Sequence, residues 1–176
     1  MVGRHTPIHP SLVAASPRAS MRPVPDPFRF LFRVRYGECD AQKIVFNARW
    51  SEYVDLAATE YTRQLFGSVD PDAAGLDWRL VRQLIEWRAP ARFDDVLVAE
   101  VTTVRVGTTS FTFATRFGRP GDDDALVTAE TVYVAVAAHT GVKQAVPDHH
   151  RAALLGGAPD AVIDHAGAGS APRRGR

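Results

Sequence analysis

The sequence predicts an α+β fold in which one long central helix is wrapped by a five-stranded, mostly antiparallel sheet. Three observations carry that expectation. Apolar residues alternate with a period of two over residues 28–36. They then recur at spacings of three and four from Asn47 to Gly67. After that, strand-like patterns dominate almost to the C-terminal end. The order strand, long helix, four strands segregates the helix to one face of a sheet.

Each element has its own signature. In the first strand, Phe28, Phe30, Phe32 and Val34 share one side, while Arg29, Leu31, Arg33 and Arg35 share the other. One face is therefore buried. In the helix, Trp50, Tyr53, Val54, Ala57, Tyr61 and Leu65 form the apolar stripe, and Ser51, Glu52, Asp55, Glu60 and Arg63 lie opposite. Asn47 is read as its N-cap and Gly67 as its stop. A helix of ~20 residues is ~30 Å long, enough to cross a small sheet. Residues 68–77 are a Pro/Asp/Gly-rich connection. Strands follow at 80–87, 96–106, 110–117 and 126–138, the last so apolar that it belongs inside the sheet. Gly107-Thr108 and residues 118–124 supply turns. Pro147 opens a short helix at 148–155.

Composition narrows the function classes. The chain has 176 residues, a formal net charge of +1 and 45% hydrophobic residues, which fits one globular domain with a substantial core. Near-neutral charge gives no general reason to bind nucleic acid or membranes, so neither partner is expected. No run reaches the ~18 apolar residues of a membrane span, and Pro7 and Pro10 interrupt any signal-peptide core, so a cytoplasmic location is expected. Residues 1–27 hold six of the twelve prolines and are read as a flexible extension. Residues 156–176 hold five of the thirteen glycines and are read as a flexible tail, leaving 28–155 as the folded domain. Apolar sheet edges call for a partner, and self-association as a homodimer or homotetramer is the simplest.

One stretch carries chemistry. Residues 36–50, YGECDAQKIVFNARW, place Glu38 and Asp40 ahead of an apolar turn that feeds the helix. A tight turn can return the Asp40 carboxylate to the helix start, where unpaired N–H groups gather partial positive charge. Asp40 is then either an Asx-turn acid or a reactive group, and residue spacing leaves both open. Glu38, alternating away from Asp40, is assigned a solvated or ion-paired role. Cys39 is read as a packed small residue, since nothing local raises its thiolate fraction. His5, His9, His139, His149, His150 and His165 have no metal-ligand spacing. No metal and no cofactor are expected.

Residues 35–61, RYGECDAQKIVFNARWSEYVDLAATEY, resemble the 4-hydroxybenzoyl-CoA thioesterase family of the hotdog fold. Tyr36, Glu38, Asp40, Ile44, Val45, Phe46 and Asn47 fill its pattern. Trp87-Arg88-Ala89-Pro90, the hairpin Arg105 to Phe111, and Pro147-Asp148 with Arg151 and Leu154 extend the likeness over 28–155. Lys43 stands where the family most often has glycine, and Asn47 where some members have His or Tyr. The resemblance implies an acyl-CoA thioesterase. Asp40 would act as nucleophile or as general base for water, and the backbone N–H at Asn47 would polarise the carbonyl. Tyr36, Ile44, Val45, Phe46 and Trp50 would receive the acyl group, and Gly107, Thr108, Thr109 and Ser110 would run beside the pantetheine arm. Arg88, Arg92, Arg105 and Arg116 are candidates for the CoA phosphates. The alternatives are hydrolysis of acyl groups on an acyl carrier protein, and a non-catalytic acyl-CoA-binding hotdog protein.

Overall fold

The computed structural model describes residues 27–167. Strand β1 (Phe28–Arg33) leads through one 3-10 turn (Tyr36–Glu38) and a tight hairpin into helix α1 (Arg49–Phe66). A single helical turn, α2 (Pro71–Ala74), precedes β2 (Asp77–Trp87) and β3 (Val96–Val106). Then come β4 (Ser110–Gly118), β5 (Val127–Val136), α3 (Asp148–Gly156) and β6 (Val162–Asp164). The strands form one sheet in the order β2-β5-β4-β3-β1-β6. All neighbours are antiparallel except β1 and β6.

The sheet therefore has six strands rather than the expected five. The sixth comes from the 156–176 segment that composition marks as a tail. A strand of three residues among glycines and alanines has no period to read, and what holds it is the open edge of β1. Arg29 N–H donates to Ala161 O at 2.9 Å and His165 N–H to Leu31 O at 2.8 Å, one bond at each end of the pairing. The expected N-terminal extension lies, apart from Pro27, outside the described residues.

Helix α1 has 18 residues, or ~27 Å at 1.5 Å per residue, and lies on the inner face of the sheet. Trp50, Tyr53, Val54, Ala57, Ala58 and Tyr61 are its buried stripe. They meet the phenylalanines of β1 and β4, Trp50 to Phe117 edge-on at 5.3 Å, Tyr61 to Phe113 edge-on at 5.0 Å and Tyr53 to Phe32 tilted at 4.7 Å between ring centres. Such tilted pairs suit the aromatic quadrupole, and each ring is worth about 3–5 kcal/mol on the scale of aromatic-to-alanine truncations. Gly67 stops the helix as expected, at φ 74° with its N–H donating to Arg63 O. The start differs from expectation. Ala48, already helical, is the N-cap, and no side chain caps the helix. Asn47 enters the first turn through its backbone, so its side chain has no capping geometry.

The outer face is polar. Arg29 and Arg116 flank Glu100 at 3.5 and 3.0 Å, and Arg33 reaches Asp94 at 3.0 Å. Pairs this exposed contribute at most about 1 kcal/mol each. Strand β5 lies between β2 and β4, as its apolar sequence requires.

Helix α3 brings His150 into the core. Its ring is 2% exposed, packs edge-on against Phe66, and donates from Nε2 to Ala74 O at 2.8 Å. Nδ1 is buried without a partner, and burial holds the ring's proton affinity below its ordinary value. The unfolded chain therefore binds the proton first as pH falls. Stability should be full above the ordinary histidine range, about 6.5, and should decline as pH drops through it. His150→Gln should flatten that part of a pH series of urea midpoints; an unchanged slope would exclude His150 as its source.

Candidate active site

Residues 38–46 fold as a hairpin that carries an acid to the start of α1. Cys39 pairs with Val45, Asp40 N–H donates to Ile44 O at 2.9 Å, and Lys43 N–H returns to Asp40 O at 2.9 Å. The loop is thus Ala41-Gln42-Lys43, closed by Lys43 at φ 61°. Three-residue hairpin loops end in this left-handed conformation, which glycine adopts freely and a Cβ resists by about 1–2 kcal/mol. That is the physical reason for glycine at this place in similar sequences. Lys43→Gly should therefore raise stability by about 1 kcal/mol, after allowing for glycine's larger unfolded-state entropy. A lower urea midpoint would show that the lysine side chain contributes more than its backbone costs.

The hairpin docks on the loop after β2. Ile44 bridges to Arg92, and Val45 N–H donates to Ala91 O at 2.9 Å. That loop is itself fixed: Arg119 donates to Pro90 O at 3.2 Å and to Asp95 at 2.8 Å, and Asp95 accepts from Arg92 N–H at 2.9 Å. Arg88 and Ala89 N–H both donate to Leu126 O, at 2.8 and 3.1 Å. Between hairpin, loop and helix start lies a cleft of about 470 Å³. Asp40, Gln42, Ile44, Val45, Phe46, Asn47 and Trp50 line one side, and Trp87, Arg88, Ala89 and Pro90 the other.

Asp40 makes the Asx-type contact that its spacing allows and lines the cleft. Oδ1 accepts from Gln42 N–H at 2.8 Å, an Asx-type contact that fixes the carboxylate. Among the described residues Oδ2 accepts nothing, and the side chain lines the cleft. On the helix side, Phe46, Arg49 and Trp50 N–H donate to Glu38 O, Phe46 O and Asn47 O. Among the described residues the N–H groups of Asn47 and Ala48 have no acceptor. The cleft thus brings an acid together with the unpaired N–H of Asn47 at the start of a helix, where the dipole adds partial positive charge.

The structure separates other sequence candidates from this cleft. Tyr36 is 82% exposed and packs edge-on against Phe93, beside a second cavity of about 580 Å³ lined also by Glu38 and Tyr53. Gly107, Thr108, Thr109 and Ser110 form the β3–β4 turn, away from Asp40 in the same chain. There Arg151 donates to Gly107 O at 2.7 Å, and Val146 N–H to Thr108 O at 2.9 Å. A Cβ at Gly107 would lie 3.2 Å from Ser110 Oγ, so the turn is tight on its own account.

Glu38 is half-buried, and among the described residues it makes no ion pair. One oxygen accepts from Arg35 N–H at 2.6 Å and from Tyr53 O–H at 2.7 Å, tying the turn to α1. Burial, then the bond to Glu38, holds the Tyr53 phenol far above its usual range, so it stays a donor. Sequence reasoning missed this strut because its partner lies fifteen residues on. Cys39 packs against the core, and burial followed by the charges of Glu38 and Asp40 pushes its thiol up.

The cleft's far wall, Trp87, Ala89 and Pro90, was not assigned to the site from sequence. Its available signal was an aromatic residue ending a strand just before a strand-breaking proline.

Comparison with known proteins bears on the fold that carries this cleft. The family model described as thioesterase superfamily matches residues 42–126, which hold most of the cleft. No curated protein matches the chain. A hypothetical protein from Aquifex aeolicus is 26% identical at a TM-score of 0.66, covering 73% of this chain and 99% of that one. A 1,4-dihydroxy-2-naphthoyl-CoA thioesterase from Synechocystis is 19% identical at a TM-score of 0.65, covering 73% and 95%. A Staphylococcus aureus protein solved in complex with CoA is 11% identical at a TM-score of 0.69, covering 78% and 87%. With its helix-on-sheet layout this chain has the hotdog fold, and over residues 42–126 it is similar to the thioesterase superfamily.

Proposed function

We propose that the protein hydrolyses an acyl-CoA thioester to the free acid and CoA. One observation carries the reading: Asp40 and Asn47, whose N–H has no acceptor among the described residues, line a single cleft. A thioester carbonyl placed there would lie with its oxygen toward the Asn47 N–H, which stabilises negative charge as the carbonyl carbon is attacked. Asp40 would attack that carbon itself or take a proton from water, and its bond to Gln42 N–H would hold it in place. Ile44, Val45, Phe46 and Trp50 would give the acyl group apolar walls. Thiol release from a panel of acyl-CoAs, followed with a thiol reagent, tests the reading. A panel with no turnover above the uncatalysed rate would reject it.

The active form is proposed to be a homodimer joined through β2. This eleven-residue strand ends the sheet, with Leu80 and Trp87 about half exposed. An open apolar edge is a template for a second copy, and its pairing would bring the partner close to the cleft wall at Trp87. Light scattering should give twice the chain mass, and Leu80→Lys should shift it toward the monomer. A monomeric wild type with full activity would refute the proposal.

A further inference from the structure

Helix α1 and strand β2 run in opposite senses, so the end of the helix meets the start of the strand. There Phe66 packs on Trp78 at 5.8 Å between ring centres. At the other end, Ser51 Oγ donates to Gln83 Oε1 at 2.7 Å. Among the described residues this is the only side-chain hydrogen bond between the two elements. Ser51 follows Trp50 in the first turn of α1, and Gln83 precedes Trp87 on β2; Trp50 and Trp87 both line the Asp40 cleft. Gln83 makes this bond with half of its amide. Its Nε2 is buried without a partner among the described residues, and so is Oγ1 of Thr131, which lies opposite it on β5 and is 1% exposed. Turning the amide over would exchange donor and acceptor at Ser51 and still leave one amide atom unpaired. A buried polar atom without a partner destabilises a fold, whereas an apolar side chain of the same shape does not. Stability therefore does not explain a glutamine here.

We infer that Gln83 is a positioning residue for the proposed hydrolysis: through Ser51 it fixes the first turn of α1, and with it the Asn47 N–H, against the cleft wall at Trp87. This rests on the thioesterase reading and deepens it. Within one chain β2 is an edge strand, paired on one side only. Without the Ser51–Gln83 bond, the helix start and the strand that carries the opposite wall are free to drift apart. A misplacement of about 1 Å at a reacting centre can slow a reaction by about a hundredfold.

Gln83→Met keeps the length of the side chain and removes both polar amide atoms, and Ser51→Ala removes the other partner at an exposed position. Three quantities are read in the full chain. They are the urea midpoint, hydrogen exchange at the Arg49 and Trp50 N–H groups, which bond to Phe46 O and Asn47 O, and kcat with KM for acyl-CoAs. Gln83→Met should have a midpoint no lower than wild type, because an unpaired buried donor is gone. It should exchange those two amides about tenfold faster or more, and lower kcat by about tenfold or more with KM within about twofold. Ser51→Ala should lose a similar factor, and the double variant no more than either single one, because both act through one bond. Wild-type kcat in Gln83→Met, unchanged exchange, or losses that add in the double variant would each overturn the inference. Faster exchange in Gln83→Met, with no acyl-CoA turned over by the wild type, would reject the thioesterase reading and leave the tie between helix start and cleft wall standing.

Discussion

Asp40→Asn is expected to lower acyl-CoA hydrolysis by about a hundredfold to ten-thousandfold, the range for removing a positioned acid or base. The substitution is nearly isosteric. The asparagine carbonyl can still accept from Gln42 N–H, so the Ala41-Gln42-Lys43 loop keeps its shape. What disappears is the charge, and with it the ability to attack a carbonyl or deprotonate water. Affinity for a non-hydrolysable acyl-CoA thioether should stay within a few-fold. Near-normal turnover in Asp40→Asn would remove Asp40 from the chemistry. Loss of cooperative melting would instead show that its charge mainly holds the hairpin.

Asn47 separates side chain from backbone. Its side chain makes no capping bond and is exposed, so Asn47→Ala should cost little stability and retain measurable turnover. Asn47→Pro deletes an N–H that has no acceptor among the described residues, at a residue that lines the cleft. Proline is tolerated in a first helical turn, although it also restricts Phe46 before it. Loss of one oxyanion donor raises the barrier by about 2.7–4 kcal/mol, so Asn47→Pro should be at least about a hundredfold slower than Asn47→Ala. The comparison holds once the proline variant melts cooperatively and binds the same thioether. Equal rates under those conditions would place the oxyanion elsewhere.

The parts of this molecule legible in the sequence are those fixed by periodicity. The stripe from Trp50 to Tyr61 and the alternation at Phe28, Phe30 and Phe32 each bury one face, and burial leaves a repeating mark. The hairpin was legible in part, because its apolar pair and following helix are local. Its left-handed residue was hidden by a lysine that bears the strain. The six-strand count, the Glu38–Tyr53 strut and the cleft wall at Trp87 were not legible. Each depends on a partner brought near only by the tertiary fold. Asn47 shows the converse error: a residue type favoured for capping was read as a cap, whereas the chain enters its helix one residue later with no side-chain cap at all.

Strand β6 has a consequence for how the sheet opens. It is three residues long, and its partner lies more than 130 positions earlier in the chain. A contact so distant in sequence and so short gains little free energy for the loop it closes. It belongs to the low-stability end of the molecule, released in local openings that leave β3, β4 and β5 paired. Because His165 packs on Phe30 and Ala166 lines the second cavity, each opening wets one side of the aromatic core away from the Asp40 cleft. An opening at this edge, opposite β2, would leave the acid and the helix start where they are.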